Sequence, residues 1–329
     1  MPLLRKRRPL MLLLMLLLPA AAFAAEDEAI EWLERMIRSA HQLNYSGTFV
    51  YQQGDALQSM KIIHAVSERG ESERLVSLTG PSREVIRNRD RVTCYLPEDS
   101  SIVVEATAGT PRPFPLKLPE ELGGIRQHYE IRLANEERIA GLSARKVVIE
   151  PRDRYRYGQH FWVATDTGLL LRAETVNEEG TVIEQLMYTS LEMHDSIPES
   201  ELLPQFSANA TVVELERKPE QSRLPASQRQ NWQVSELPPG FSLKLQRNHF
   251  LPDKLSPVEH HVYSDGLASV SVFVEERGDS EHALDGASAM GGVNAYGRIL
   301  AEHAVTVVGE VPPATVEQIA MSLQPIQHD

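Results

Sequence analysis

The sequence predicts an α+β, mostly β protein in two parts: a large antiparallel sheet covering an N-terminal helix, then a smaller α+β unit. Three observations carry this. A helical repeat of apolar residues opens the chain behind a removable leader. Eleven short strand-like runs then follow at a spacing that suits consecutive antiparallel pairing and leaves no room for helical crossovers. A polar stretch between residues 216 and 230 interrupts the pattern before shorter strand runs resume.

The leader is the first element to set aside. Arg5, Lys6, Arg7 and Arg8 precede an apolar run from Leu10 to Leu18, and Ala22-Phe23-Ala24 supplies the small-residue pattern for cleavage after Ala24. The run is well short of the ~20 residues that cross a bilayer, so residues 1–24 are expected to be a secretory signal peptide. The 329-residue chain carries 33 Lys+Arg against 46 Asp+Glu; losing four cations and no acids moves its formal charge from -13 to -17. Such a surface disfavours nucleic acid. No Cys follows the cleavage site, so lipid attachment there is not expected, and a periplasmic address follows. Cys94 is the single thiol; it lies on the alternating face Val92, Cys94, Leu96, as a buried strand thiol would, with a redox or dimer-linking role as the alternative.

The mature chain begins with Ile30, Leu33, Ile37 and Ala40 at helical spacing beside Trp32, Met36 and Leu43, with Asp27 and Glu28 toward the positive end of the helix dipole. Strand runs are predicted at 45–52, 58–66, 74–78, 84–88, 92–96 and 102–106. After a Pro-rich loop around Pro111, Pro113 and Pro115, they resume at 129–133, 144–150, 159–164, 169–176 and 181–193. The sequence places a large domain over residues 25–215, a linker over 216–231 and a small domain over 232–329. In the small domain strands are expected at 242–246, 259–263, 268–274, 297–300 and 305–308, with a Ser264-Asp265-Gly266 hairpin turn and a helix from Thr315, its cap, to Leu323.

Motifs for chemistry are sparse. There is no G-x-S-x-G elbow, phosphate-cradling P-loop, H-E-x-x-H or C-x-x-C, and no enzyme, cofactor or metal is predicted. Glu259-His260-His261 comes nearest to a metal cluster, but neighbouring strand residues point to opposite faces. Gly286, Gly291, Gly292 and Gly297 lack dinucleotide-loop spacing and suggest a mobile loop. Six of the eleven His follow the linker, in a region where acids outnumber Lys+Arg by 13 to 5, so acid pH would reduce its negative charge. The most distinctive stretch is Arg152-Asp153-Arg154-Tyr155-Arg156-Tyr157-Gly158, alternating cations and aromatics in an acidic protein. Two readings stand: a patch for anionic lipid headgroups or an acidic peptide, or a loop whose cations neutralise nearby acids.

Two stretches carry a family resemblance. One runs through Trp32, Leu33, Met36, Ala40, Leu43, Asn44, Tyr45, Gly47, Phe49, Val50 and Tyr51; the other runs from Asp153 to Gly158, then through Phe161-Trp162 to Thr167-Gly168-Leu169-Leu170-Leu171. The chain resembles the RseB/MucB family over nearly all of its mature length. That resemblance implies a lipoprotein-carrier-like half-barrel for the large domain, with helices and an apolar cavity on the concave side. It implies a periplasmic negative regulator that binds the periplasmic part of a membrane-spanning, RseA/MucA-like anti-sigma factor and protects it from regulated proteolysis. It further implies release by lipid or lipopolysaccharide signals, a link to alginate regulation, and partner contact chiefly through the small domain. Homo-oligomers are expected of such domain pairs.

Candidate residues follow from the pattern. Tyr45, Phe49 and Tyr51 share one side of the first strand, and Met60 and Ile62 one side of the second; they are the cavity-lining candidates, with closed packing against Trp32 and Met36 as the alternative. Arg154, Tyr155, Arg156 and Tyr157 are the candidates for polar ligand contacts. Trp232, Phe241, Phe250 and Leu251 are candidate partner anchors. Two other classes remain open on sequence alone: a periplasmic lipid or lipoprotein carrier or sensor, and an enzyme acting on an envelope polymer.

Overall fold

The structure is a computed structural model, and it describes residues 18–89, 91–98, 101–106, 118, 122–205, 211–215, 231–249, 256–279 and 284–326. The helix α1 spans Leu18–Gln42. Its buried residues Ala29, Ile30, Leu33, Met36 and Ala40 form one stripe, as the spacing predicts. The helix begins ahead of the expected cleavage site, so Asp27 and Glu28 are not in its first turn. Asp27 instead pairs with Arg126 at 2.7 Å.

Eleven strands follow in the predicted order: β1 (Asn44–Gln53), β2 (Ala56–Ser67), β3 (Gly70–Ser77), β4 (Glu84–Arg87), β5 (Arg91–Leu96), β6 (Ser101–Ala106), β7 (Tyr129–Ile139), β8 (Leu142–Pro151), β9 (Gly158–Ala164), β10 (Leu170–Val176) and β11 (Val182–His194). A twelfth, β12 (Thr211–Leu215), lies in a stretch where no strand is predicted. All twelve form one sheet in the order β12-β6-β5-β4-β3-β2-β1-β11-β10-β9-β8-β7. Two pairings break the run of consecutive hairpins. β1 pairs antiparallel with β11, joining the two ends of the region, and β12 pairs parallel with β6. β7 and β11 lie close together although three strands separate them in the sheet, so the sheet curls.

α1 covers one part of this sheet. Its buried stripe packs with Leu118, Leu122, Ile125, Tyr129, Ile131, Val147, Ile149, Phe161, Val163 and Leu170, with Trp32 at the margin. The far end of α1 is held by Ser39, whose hydroxyl donates to the Thr167 carbonyl at 2.8 Å, and by Arg35, which donates to the Asp166 carbonyl at 2.7 Å. Gly168 in that turn has φ +80°, and a Cβ there would lie 2.5 Å from the Ser39 hydroxyl, which accounts for the glycine.

The small unit holds a six-stranded antiparallel sheet in the order β14-β15-β16-β19-β18-β17, built from β14 (Ser242–His249), β15 (Val258–Ser264), β16 (Ser269–Glu276), β17 (Gly286–Met290), β18 (Val293–Leu300) and β19 (His303–Gly309). A short pair, β13 (Trp232–Val234) with β20 (Leu323–Pro325), ties the start of the unit to its end, and α2 (Pro313–Ser322) packs on the sheet. Two expectations are corrected here. The glycine-rich stretch is a hairpin, with Gly291 and Gly292 as its turn and Gly286 paired to Gly297. Thr315 does not cap α2, which starts at Pro313 behind Pro312; the Thr315 hydroxyl donates elsewhere.

Candidate functional site

The strand face expected to line a cavity is a buried cluster of Tyr45, Phe49, Met60, Ile62, Leu75, Leu169, Leu186 and Tyr188, with Tyr51 at its margin. β1 brings Phe49 opposite Met60 on one side and Tyr188 on the other, and Gly47 opposite Ile62. A Cβ on Gly47 would sit 3.0 Å from the Tyr188 ring and 2.6 Å from the Ser190 carbonyl, so this glycine is required by a close approach. Trp32 and Met36 pack in the separate α1 cluster, and the aromatic row packs chiefly with its own neighbours in the sheet. The face is not wholly apolar. Tyr45 stacks on His64 with centroids 5.0 Å apart, and burial beside Tyr188 and Glu73 pushes the Tyr45 hydroxyl well above its ordinary pKa. Tyr51 donates to Glu184 at 2.6 Å, and burial also raises its pKa.

The Arg/Tyr stretch occupies the end of the large sheet where the small unit docks. β1, β8 and β10 end there, and β7, β9 and β11 begin there. Arg154 is exposed, lying 5.4 Å from the Tyr155 ring. Its alternate neighbours turn inward. The Tyr155 carbonyl accepts a 2.7 Å bond from the Thr315 hydroxyl, and the Tyr157 hydroxyl accepts a 2.9 Å bond from Asn294, which also donates to the Val311 carbonyl at 2.8 Å. Arg156 is 1% exposed. It lies 3.2 Å from Asp265 of the small unit and 3.3 Å from Asp153, and it donates to the Pro239 carbonyl. Tyr129 donates to Asp265 at 2.9 Å, and burial raises the pKa of that phenol. Arg156 and Tyr157 therefore face the small unit, and no open lipid surface is available to them in this arrangement. Arg156 is paired with the nearby acids Asp153 and Asp265, and Arg154 remains exposed.

The partner-anchor candidates divide. Trp232 and Phe241 are buried at 5% and 6% exposure in the small unit's core, so their rings serve the fold and offer no surface for a partner. Phe241 also lies 5.2 Å from the Arg156 guanidinium. Phe250 and Leu251 lie outside the described residues. His260 and His261 point to opposite faces of β15, as strand alternation requires. His261 meets Glu259 at 2.6 Å and Tyr263 at 3.2 Å, whereas His260 meets His249 and the Ser271 hydroxyl, each at 3.1 Å. No group of three or more His, Cys, Asp or Glu among the described residues is placed to hold a metal ion. Cys94 is half-buried in β5, and burial raises its thiol pKa, against thiolate reactivity.

Sequence reasoning missed Asp265, Asn294, Thr315 and Tyr188. Asp265 was visible only as a turn residue, which it also is: its Oδ1 accepts the backbone N–H groups of Leu267 at 2.9 Å and Ala268 at 2.7 Å. Nothing local marks its other oxygen as the counter-charge of Arg156.

Two family models match, that of the MucB/RseB N-terminal domain over residues 28–206 and that of the MucB/RseB C-terminal domain over residues 226–324. The sigma factor AlgU regulatory protein MucB of Pseudomonas aeruginosa is 33% identical over 306 residues, covering 91% of each chain. The sigma-E factor regulatory protein RseB of Haemophilus influenzae is 24% identical over 303 residues, covering 92% of this chain and 93% of the relative. Among solved structures, the Pseudomonas aeruginosa MucA/MucB complex superposes with a TM-score of 0.70 at 29% identity, over 92% of this chain and 100% of the other. MucB in complex with MucA(peri) gives 0.69 at 29% identity, over 91% and 100%. With both parts matched, and with the docked seam built from one of its most distinctive stretches, the chain belongs to the MucB/RseB family.

Proposed function

We propose that this chain is a periplasmic negative regulator of sigma-factor signalling, exported by residues 1–24, and that it acts by occlusion. It holds a segment of the periplasmic domain of a membrane-spanning anti-sigma factor, and the held segment cannot enter the protease that starts its breakdown. One observation carries the reading: 33% identity to a sigma-factor regulatory protein across 91% of both chains, joined to a fold that superposes on MucB in its complexes with MucA. Occlusion requires covered surface and no reactive group; the buried pairs Arg74–Glu84, Arg87–Glu73 and Arg156–Asp265 serve the fold and the seam in this reading. Residues 25–215 and 232–329 act as the two domains in this proposal. The proposal places an acyl-chain site on the Tyr45, Phe49, Met60 and Ile62 face, whose packed side chains must part to admit the chain, and its filling releases the partner.

The test mixes the mature chain with the purified periplasmic domain of its cognate anti-sigma factor and follows cleavage by the site-one protease. Cleavage should slow as the chain is added and reach a plateau at stoichiometric binding. An unchanged cleavage rate at saturating chain would remove the proposal.

A further inference from the structure

The junction between the two units is built around one desolvated charge. Arg156 sits between the rings of Tyr129 and Phe241, 5.4 and 5.2 Å from their centroids, with Asp153 on its own side and Asp265 across the seam. Asp265 is on the tip of the β15–β16 hairpin. The same tip sends Leu267 against the α1 cluster of the large unit, and a Cβ on Gly266 would meet Ile125 at an ordinary contact distance of 3.8 Å. Thr315 and Asn294 also cross the seam among the described residues, through neutral hydrogen bonds whose net contribution is modest because water replaces them on separation. A guanidinium buried in such a site requires an anion opposite it. Removing Asp265 leaves the buried guanidinium with only Asp153, on its own side of the seam, and removing Arg156 leaves the buried carboxylate with the Tyr129 hydroxyl and no cation.

We infer that Arg156 and Asp265 form a clasp that positions the small unit on the end of the large sheet, and that neutralising one of them releases the units from each other with both folds intact. The two oxygens of Asp265 do separate work, which makes the clasp testable. Oδ1 shapes the hairpin turn through Leu267 and Ala268, while Oδ2 receives Tyr129 and faces Arg156. Asp265→Asn keeps an acceptor for the turn and removes the charge. A consequence for partner binding, which rests on the function proposed above, is that the clasp decides whether surfaces of the two units face one partner segment together.

The experiment uses the full mature chain and compares wild type, Asp265→Asn, Arg156→Met and the double variant by amide hydrogen exchange and small-angle scattering. Each single variant should speed exchange at residues 152–158 and 264–268 by roughly tenfold or more and enlarge the radius of gyration, with exchange in β2, β3, β16 and β19 unchanged. The double variant, which buries no unpaired charge, should exchange at the seam more slowly than either single variant. Seam exchange within twofold of wild type in both single variants, or a double variant whose effect is the product of the two, would overturn the clasp. Should Arg156→Met fail to fold, Asp265→Asn against the double variant decides the same point. Affinity for the anti-sigma domain is measured apart. A seam that opens with affinity unchanged overturns only the partner consequence, whereas a seam that stays closed overturns the clasp itself.

Discussion

Arg74 and Arg156 are both almost fully buried, both oppose a buried carboxylate and both donate to a backbone carbonyl, yet they stabilise different things. Arg74 meets Glu84 across neighbouring strands ten residues away, and the pair gathers the segment that follows β11. Arg74 donates to the Glu201 carbonyl at 2.8 Å, and Glu84 accepts the Gln205 N–H at 3.0 Å. Arg156 meets its carboxylate in another unit, behind a turn 136 residues downstream of Tyr129, the other side chain that Asp265 engages. The same ion pair acts as a brace inside one sheet and as a joint between two. What separates them is whether the chain can part without unfolding.

The largest expected effect tests the brace. Arg74→Ala leaves Glu84, with no exposed surface, in a dry site without its cation, and should lower the stability of the large unit by about 3–5 kcal/mol in urea unfolding. A loss below ~1 kcal/mol would mean that the pair is no brace and that the contrast with Arg156 is one of position alone.

A middle-sized effect depends on pH and is read most clearly in the small unit. His260 lies beside His249 and Arg247 of the neighbouring strand, the Ser271 hydroxyl and the Phe273 ring, which stacks at 4.3 Å; burial first, then the neighbouring His249, Arg247 and His261, lowers its pKa to about 4. Its folded value lies below its unfolded one, so the unfolded state takes up the proton first. Stability of the small unit should be flat above pH 6.5, fall between about 6.5 and 4, and level off below, by roughly 1 to 3 kcal/mol in all. His64 in the large unit is shifted the same way by burial, so both units weaken in acid. Thermal melts of wild type and His260→Gln over that range should show a shallower decline in the variant. Parallel declines would place the acid sensitivity elsewhere.

The smallest expected effect lies two residues from the clasp. Arg154→Glu reverses an exposed charge that makes no hydrogen bond across the seam, and it should leave the melting curve and seam exchange unchanged. Binding to vesicles containing anionic lipid is the informative measurement, because Arg154 is the one arginine of the 154–157 stretch placed to meet a headgroup. Unchanged vesicle binding would leave the stretch with a structural role only.

Much of the fold was legible because strand pairing in the large sheet is mostly consecutive: alternating apolar residues and turn-forming pairs locate β1 to β11 without knowledge of their neighbours. The misses have physical causes. β12 is a short parallel edge strand that pairs with distant β6, and a parallel partner leaves no turn in the sequence to announce it. β17 was hidden by small residues, Gly286-Ala287-Ser288-Ala289, which carry no strand propensity of their own. For the candidate site, Tyr45, Phe49, Met60 and Ile62 share a face as their period-two spacing requires, but spacing could not assign them to a cluster apart from Trp32 and Met36. Trp232 and Phe241 suggested surface anchors because a linker-proximal aromatic has the same composition whether it faces a partner or its own core.

Local periodicity, turn chemistry and composition by themselves determined the N-terminal helix stripe, the strand-rich body and a resemblance strong enough to anticipate the family. These are properties of neighbours along the chain, set by sterics and by which face is apolar. Only the tertiary structure decided that β1 closes on β11, that Tyr188 crosses Gly47, and that Arg156 turns inward to Asp265 while Arg154 stays in water. A buried charge is tolerable only opposite a counter-charge, and the fully buried partner of Arg156, Asp265, comes from a different sheet. Its role was therefore set by the docking of two folded units and lay beyond any pattern in its own stretch.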